Sequence, residues 1–149
     1  MSYKDKPRNE YSVALVIRSE TLSVRKISEI LGMQPTDSYD KGPRKLLSRM
    51  INEEKAFWCI ELECKRSTPL DKQVGKLLKL LRKIEEQVIL LASMKCEIAV
   101  YCGAFPTLAT QTTSLSPHQM AIISRLGASF HLVTYCYLKK GIMKPKPTR

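Results

Sequence analysis

Hydrophobic positions along this chain switch repeatedly between a period of two and a period near 3.6. Tyr11, Val13, Leu15 and Ile17 alternate with Ser12, Ala14, Val16 and Arg18, which is the pattern of a strand with one buried face. Ser23 then caps a short helix, Val24 to Leu31. Ile27, Ile30 and Leu31 form its apolar side, and Gly32 stops it. A second strand runs from Ala56 to Lys65, with Trp58, Ile60, Leu62 and Cys64 on one face and Phe57, Cys59, Glu61 and Glu63 on the other. Between them, residues 34–54 are irregular and punctuated by Pro35, Gly42 and Pro43. Within that stretch Leu46, Leu47, Met50 and Ile51 interleave with basic residues, as they would on a short helix.

The longest element is a helix from about Leu70 to Met94. Its Leu70, Val74, Leu77, Leu81, Ile84, Val88 and Leu91 recur at alternating spacings of four and three. That seam permits a coiled coil, and so a homodimer through residues 70–94. Leu78, Leu80, Ile89 and Leu90 widen the stripe, which favours one helix lying on a sheet with its lysines in solvent. A strand follows from Lys95 to Gly103, with Ile98, Val100 and Cys102 on one face, and then a Thr-rich loop over 104–115. Ser116 caps a helix with Pro117 at its first position, which runs to about Arg125 and ends at Gly127. In the last strand, Ala128 to Leu138, Phe130, Leu132, Thr134 and Cys136 alternate with His131, Val133, Tyr135 and Tyr137.

These elements predict an α+β domain: a mostly antiparallel sheet of four to six strands with two or three helices, in a ferredoxin-like arrangement. The domain spans residues 11–138, between a flexible N-terminus (1–10) and a basic, flexible tail (139–149). With 149 residues the chain suits one core. Its net charge of +11 changes the picture mainly through where it lies, because the tail holds five of the 25 basic residues and no acid. Such a tail suits solubility or contact with acidic surfaces. The five cysteines form no Cys-x-x-Cys pair and lack His at ligand spacing. They read as small apolar residues in a reducing compartment, without metal or cofactor. No signal peptide or membrane span is legible, so a cytoplasmic protein without membrane contact is expected.

The order Leu31-Gly32-x-x-Pro35-Thr36, Lys41-Gly42, Trp58, Tyr101-Cys102-Gly103-x-Phe105, Leu115-Ser116-Pro117 and Leu126-Gly127 resembles the bacterial domain of unknown function 4279 family, over roughly residues 11–137. The chain departs from that pattern after Phe105, where a glycine-rich loop is missing, and in the last strand, where His131, Tyr135 and Tyr137 stand in place of alternating acids. The resemblance implies a fold and no activity. Some members resemble proteins encoded near toxin systems, which brings in an immunity-type binder.

The expected function is a non-enzymatic binding module, for a protein partner in the first reading. The motif loop is then its candidate site, through Thr36, Ser38, Lys41, Gly42 and Arg44. The second reading is a nucleic-acid binder that uses Lys41, Arg44, Lys45, Tyr135, Tyr137, Lys144 and Lys146, with Tyr101 also on a less apolar strand face. The third is an enzyme with a site in the 36–41 loop, where Asp37 and Asp40 could pair. His118 is expected in solvent and His131 on a strand. No phosphate loop and no Gly-x-Ser-x-Gly elbow is present.

Overall fold

The computed structural model describes residues 9–107 and 111–136. The alternating stretch at the start becomes β1 (Glu10–Ser19), and Ser23 caps α1 (Val24–Leu31) by accepting the Lys26 N–H. Gly32 ends α1 at φ 65°, a left-handed conformation that only glycine adopts without cost. Then come β2 (Asp37–Tyr39), β3 (Gly42–Leu46), β4 (Arg49–Glu53) and β5 (Ala56–Glu61). The helices α2 (Leu70–Arg82) and α3 (Glu85–Ser93) lead to β6 (Glu97–Phe105), and α4 (Pro117–Arg125) leads to β7 (Ala128–Thr134).

Five strands form one sheet in the order β2-β5-β1-β6-β7, and β3 and β4 form a separate hairpin. All neighbours in the large sheet are antiparallel except β6 and β7, which run parallel through the α4 crossover. The fold is thus α+β with a mixed, mostly antiparallel sheet and, among the described residues, four helices. One face of β1, β5 and β6 joins all four helices in a single core, which includes Leu15, Ile17, Trp58, Val100, Ile27, Leu81, Leu91 and Ile123. No helix among the described residues lies on the other face of the sheet.

Two expectations are corrected. The helix over 70–94 breaks at Lys83 and Ile84, so the described residues hold four helices rather than two or three. The charges account for the break: Lys79 and Arg82 close α2, and Glu85 and Glu86 open α3, each set favourable at its helix end. Residues 42–53 form a hairpin, not a short helix. Leu46, Leu47 and Met50 are exposed, Leu47 by 91%, so these positions have no core face on which a helix would pack. The seam of the long helix is taken up by the chain's own sheet, since Leu70, Val74, Leu77, Leu81, Val88 and Leu91 are all buried.

One buried polar side chain ties the crossover from β5 to α2 onto the sheet. Gln73 is 1% exposed, and its Nε2 lies 3.1 Å from the Tyr11 carbonyl, 3.0 Å from that of Thr68 and 3.4 Å from that of Lys65. Replacing Gln73 with Leu removes the donor and leaves these carbonyls without it. The expected loss is about 1–3 kcal/mol, read as a lower urea midpoint at unchanged m-value.

Candidate functional site on the open sheet face

Period-two alternation decides what the helix-free face displays. Register places Tyr39, Phe57, Arg18 and Glu97 in one row across β2, β5, β1 and β6. The next row is Asp37, Cys59, Val16, Ala99 and Ser129, and the row after that is Glu61, Ala14, Tyr101 and His131. Ser12, Gly103 and Val133 follow, and Phe105 lies beyond them. Rows on one face are about 6.6 Å apart. Ridges of rings therefore alternate with troughs of small residues.

The rings pair across strands. Tyr39 stacks on Phe57 at 4.9 Å, Tyr101 on His131 at 4.6 Å and Phe105 on Tyr135 at 4.9 Å. Arginines lie over the outer pairs, with Arg44 4.0 Å from the Tyr39 centroid, Arg18 5.7 Å from Phe57 and Arg66 5.0 Å from Phe105. Gly103 makes room for the last pair, since a Cβ there would stand 3.3 Å from the Phe105 ring and 2.6 Å from the Ser12 hydroxyl. Between Arg18 and the Tyr101–His131 pair lies a trough of about 270 Å³ with Val16 and Ala99 as its buried floor.

The other groups that line the trough are polar and planar. The Ser129 Oγ and His131 Nε2 lie 2.9 Å apart, which fixes one ring nitrogen of His131 and leaves the ring against Tyr101. Burial pushes the thiol of Cys59 up to about 11, with Glu61 and Asp37 adding to the shift, and burial pushes Cys102 up to about 12. Neither is a thiolate at neutral pH. The hydrogen bond with Thr68 lowers the thiol pKa of Cys64, and Lys76 adds to the effect. All five cysteines are free, and no group of three potential metal ligands occurs among the described residues.

The predicted site residues separate. Thr36 is a latch: its hydroxyl donates to the Cys59 carbonyl at 3.2 Å and accepts the Glu61 N–H at 2.9 Å. Ser38 is exposed on β2 opposite Trp58, and Gly42 opens the hairpin at φ 118°. Lys41 donates to the Glu20 carbonyl at 3.3 Å. Arg44 pairs with Glu53 at 2.8 Å while lying over Tyr39, and Lys45 is exposed on β3. Asp40 accepts the Val24 N–H at 2.8 Å, so its carboxylate caps α1 rather than pairing with Asp37. Tyr135 follows β7 at the opposite edge of the sheet, about 19 Å from β2 at four strand spacings. Tyr137, Lys144 and Lys146, like the tail as a whole and residues 1–8, lie outside the described residues. Tyr39, Phe57 and His131 were not among the predicted site residues. For Phe57 and His131 the signal was present in the strand alternation, which put Phe57 on the face away from Trp58 and His131 on the face of Tyr135, whereas Tyr39 lay in the stretch that reads as irregular.

The fold and this face define a small α+β domain with helices layered on one side of its sheet and paired rings on the other. The chain belongs to the domain of unknown function family DUF4279, whose model matches residues 9–137. No curated protein and no solved structure matches it. No helix among the described residues is long and apolar enough to cross a membrane.

Proposed function

We propose that this protein is a non-enzymatic binding module on a ferredoxin-like arrangement, and that its open sheet face takes single-stranded nucleic acid. The strand order β2-β5-β1-β6, with α1 and then α2–α3 crossing on one face, supports the arrangement. On this reading β3–β4 is an insertion, and α4–β7 adds a parallel strand.

The observation that carries the ligand class is the set of ring pairs on the helix-free face, with arginine planes over the outer ones. Bases stack on such surfaces irrespective of sequence, and basic residues take the phosphates. The acids on this face set the path. Glu97 is held by Lys55, whereas Asp37, Glu61 and Glu10, which lies opposite Phe105 on β1, have no ion pair among the described residues. Phosphates therefore avoid β2, β5 and the Glu10 end of β1, and follow β6 and β7 between Arg18 and Arg66. The net charge of +11 favours the encounter.

Fluorescence anisotropy with a labelled twelve-nucleotide uridine RNA tests the reading. The full chain should bind at low salt, with a log–log salt slope of about −0.7 per phosphate contact. Tyr101→Ala and Tyr135→Ala should each weaken binding by about 5- to 150-fold, from 1–3 kcal/mol per stacked base. Salt-sensitive binding that ignores both substitutions would mean that charge alone holds the RNA. Failure to bind any single strand at low salt would leave the face to a protein partner.

A further inference from the structure

On the far side of the helix layer, α2 and α4 lie side by side and leave a groove of about 880 Å³ between them. Gln119 ties the two helices together beside Gly75. The Gln119 Nε2 donates to the Asp71 carbonyl at 2.8 Å, and a Cβ on Gly75 would stand 3.5 Å from that nitrogen. The floor is aliphatic, with Leu78, Leu81 and Leu126 buried and Ile122 partly so.

The rim is cationic. Lys79, Arg82 and Arg125 are exposed along it, and His118 stands at the α4 end. The one acid in the lining, Glu85, is held by Arg125 at 2.6 Å. Lys79 and Arg82 have no ion pair among the described residues. The groove thus joins an apolar floor to unneutralised positive charge, two features that a single ligand has to satisfy together.

We propose that this groove seats an acidic, amphipathic helical segment of a protein partner, with apolar side chains on the Leu78–Ile122 floor and carboxylates against Lys79 and Arg82. Helix-in-groove recognition uses apolar anchors three and four residues apart, and complementary charge sets register and encounter rate. A small anion would leave the aliphatic floor uncovered. A nucleic acid finds no Phe, Tyr or Trp in the lining to stack on. A second copy brings its own net charge of +11 against the same rim. The groove lies across the sheet from the ring-lined face, so it stands or falls separately from nucleic-acid binding.

A displayed library of random sixteen-residue peptides, selected on the immobilised full chain, tests the proposal. The enriched pool should be acidic, with apolar residues three and four positions apart. A synthetic peptide from that pool should lose at least tenfold in affinity with Lys79→Glu/Arg82→Glu. It should bind within about twofold of wild type with Lys45→Glu/Arg49→Glu, an equal charge change on the distant hairpin. Circular dichroism melts check that both surface variants fold. The proposal is overturned if nothing enriches, if the enriched peptides lack acids, or if the two variants weaken binding equally. It is also overturned if uridine RNA displaces the peptide, which would make the groove a nucleic-acid surface.

Discussion

Leu81→Ala is expected to destabilise the protein by about 2–5 kcal/mol, whereas Leu90→Ala should change stability by less than about 0.5 kcal/mol. Both leucines lie in the stretch that reads as one apolar helix. Leu81 is fully buried in the single core, at the floor of the α2–α4 groove, and its truncation leaves a cavity there. Leu90 lies in α3 and is 49% exposed, so its truncation removes little buried surface. Urea melts of the two variants distinguish a helix packed on the sheet from a coiled-coil seam. Equal, small effects would mean that α2 is peripheral. Dissociation of a dimer by Leu81→Glu without unfolding, seen by analytical ultracentrifugation, would favour the seam.

Strands with a two-residue period were legible because their buried faces are unmixed. Tyr11 to Ile17 reads directly from the sequence, and β1 buries those positions at the centre of the sheet. Boundaries were less legible. Leu62 and Cys64 continue the alternation of β5 beyond Glu61, where the strand ends. The segment over 42–53 misled because its apolar residues have no core partner. Its hairpin is held instead by cross-strand pairing and by Arg44–Glu53, which join residues nine apart. The break in the long helix was encoded by charge rather than by apolar spacing, with bases at the end of α2 followed at once by acids at the start of α3.

The candidate site was legible residue by residue but not as an assembly. Tyr101 and Tyr135 stand out as polar aromatics on half-apolar strands, and both reach the open face. Their partners come from register between strands distant in sequence: Tyr101 meets His131 only because β6 and β7 pair in parallel, and Tyr39 meets Phe57 only because β2 pairs with β5. The loop residues drew attention as a cluster of hydroxyls and cations. The fold spends Thr36 and Asp40 on backbone groups and Arg44 on Glu53. The α2–α4 groove has no signature at all in one dimension, since its rim and floor come from helices far apart in sequence, as the bond from Gln119 to Asp71, 48 residues apart, shows.

Trp58→Ala is expected to cost about 3–5 kcal/mol, among the largest losses any single substitution in this chain would bring. The indole is 0% exposed, and it is the largest fully buried side chain. It also carries a polar handle: its Nε1–H donates to the Ser28 hydroxyl on α1 at 3.0 Å, so the helix is bonded to β5 through the core. Two effects are therefore mixed in the alanine variant, a cavity and a buried hydroxyl without its donor. A double-mutant cycle separates them. Trp58→Phe keeps most of the apolar volume and removes the donor, and Ser28→Ala removes the acceptor. The single variants should each lose about 1–2 kcal/mol from the broken hydrogen bond, and the double variant should cost clearly less than their sum. Strict additivity in urea melts would show that the Trp58–Ser28 bond contributes nothing of its own. Trp58 would then act by volume alone.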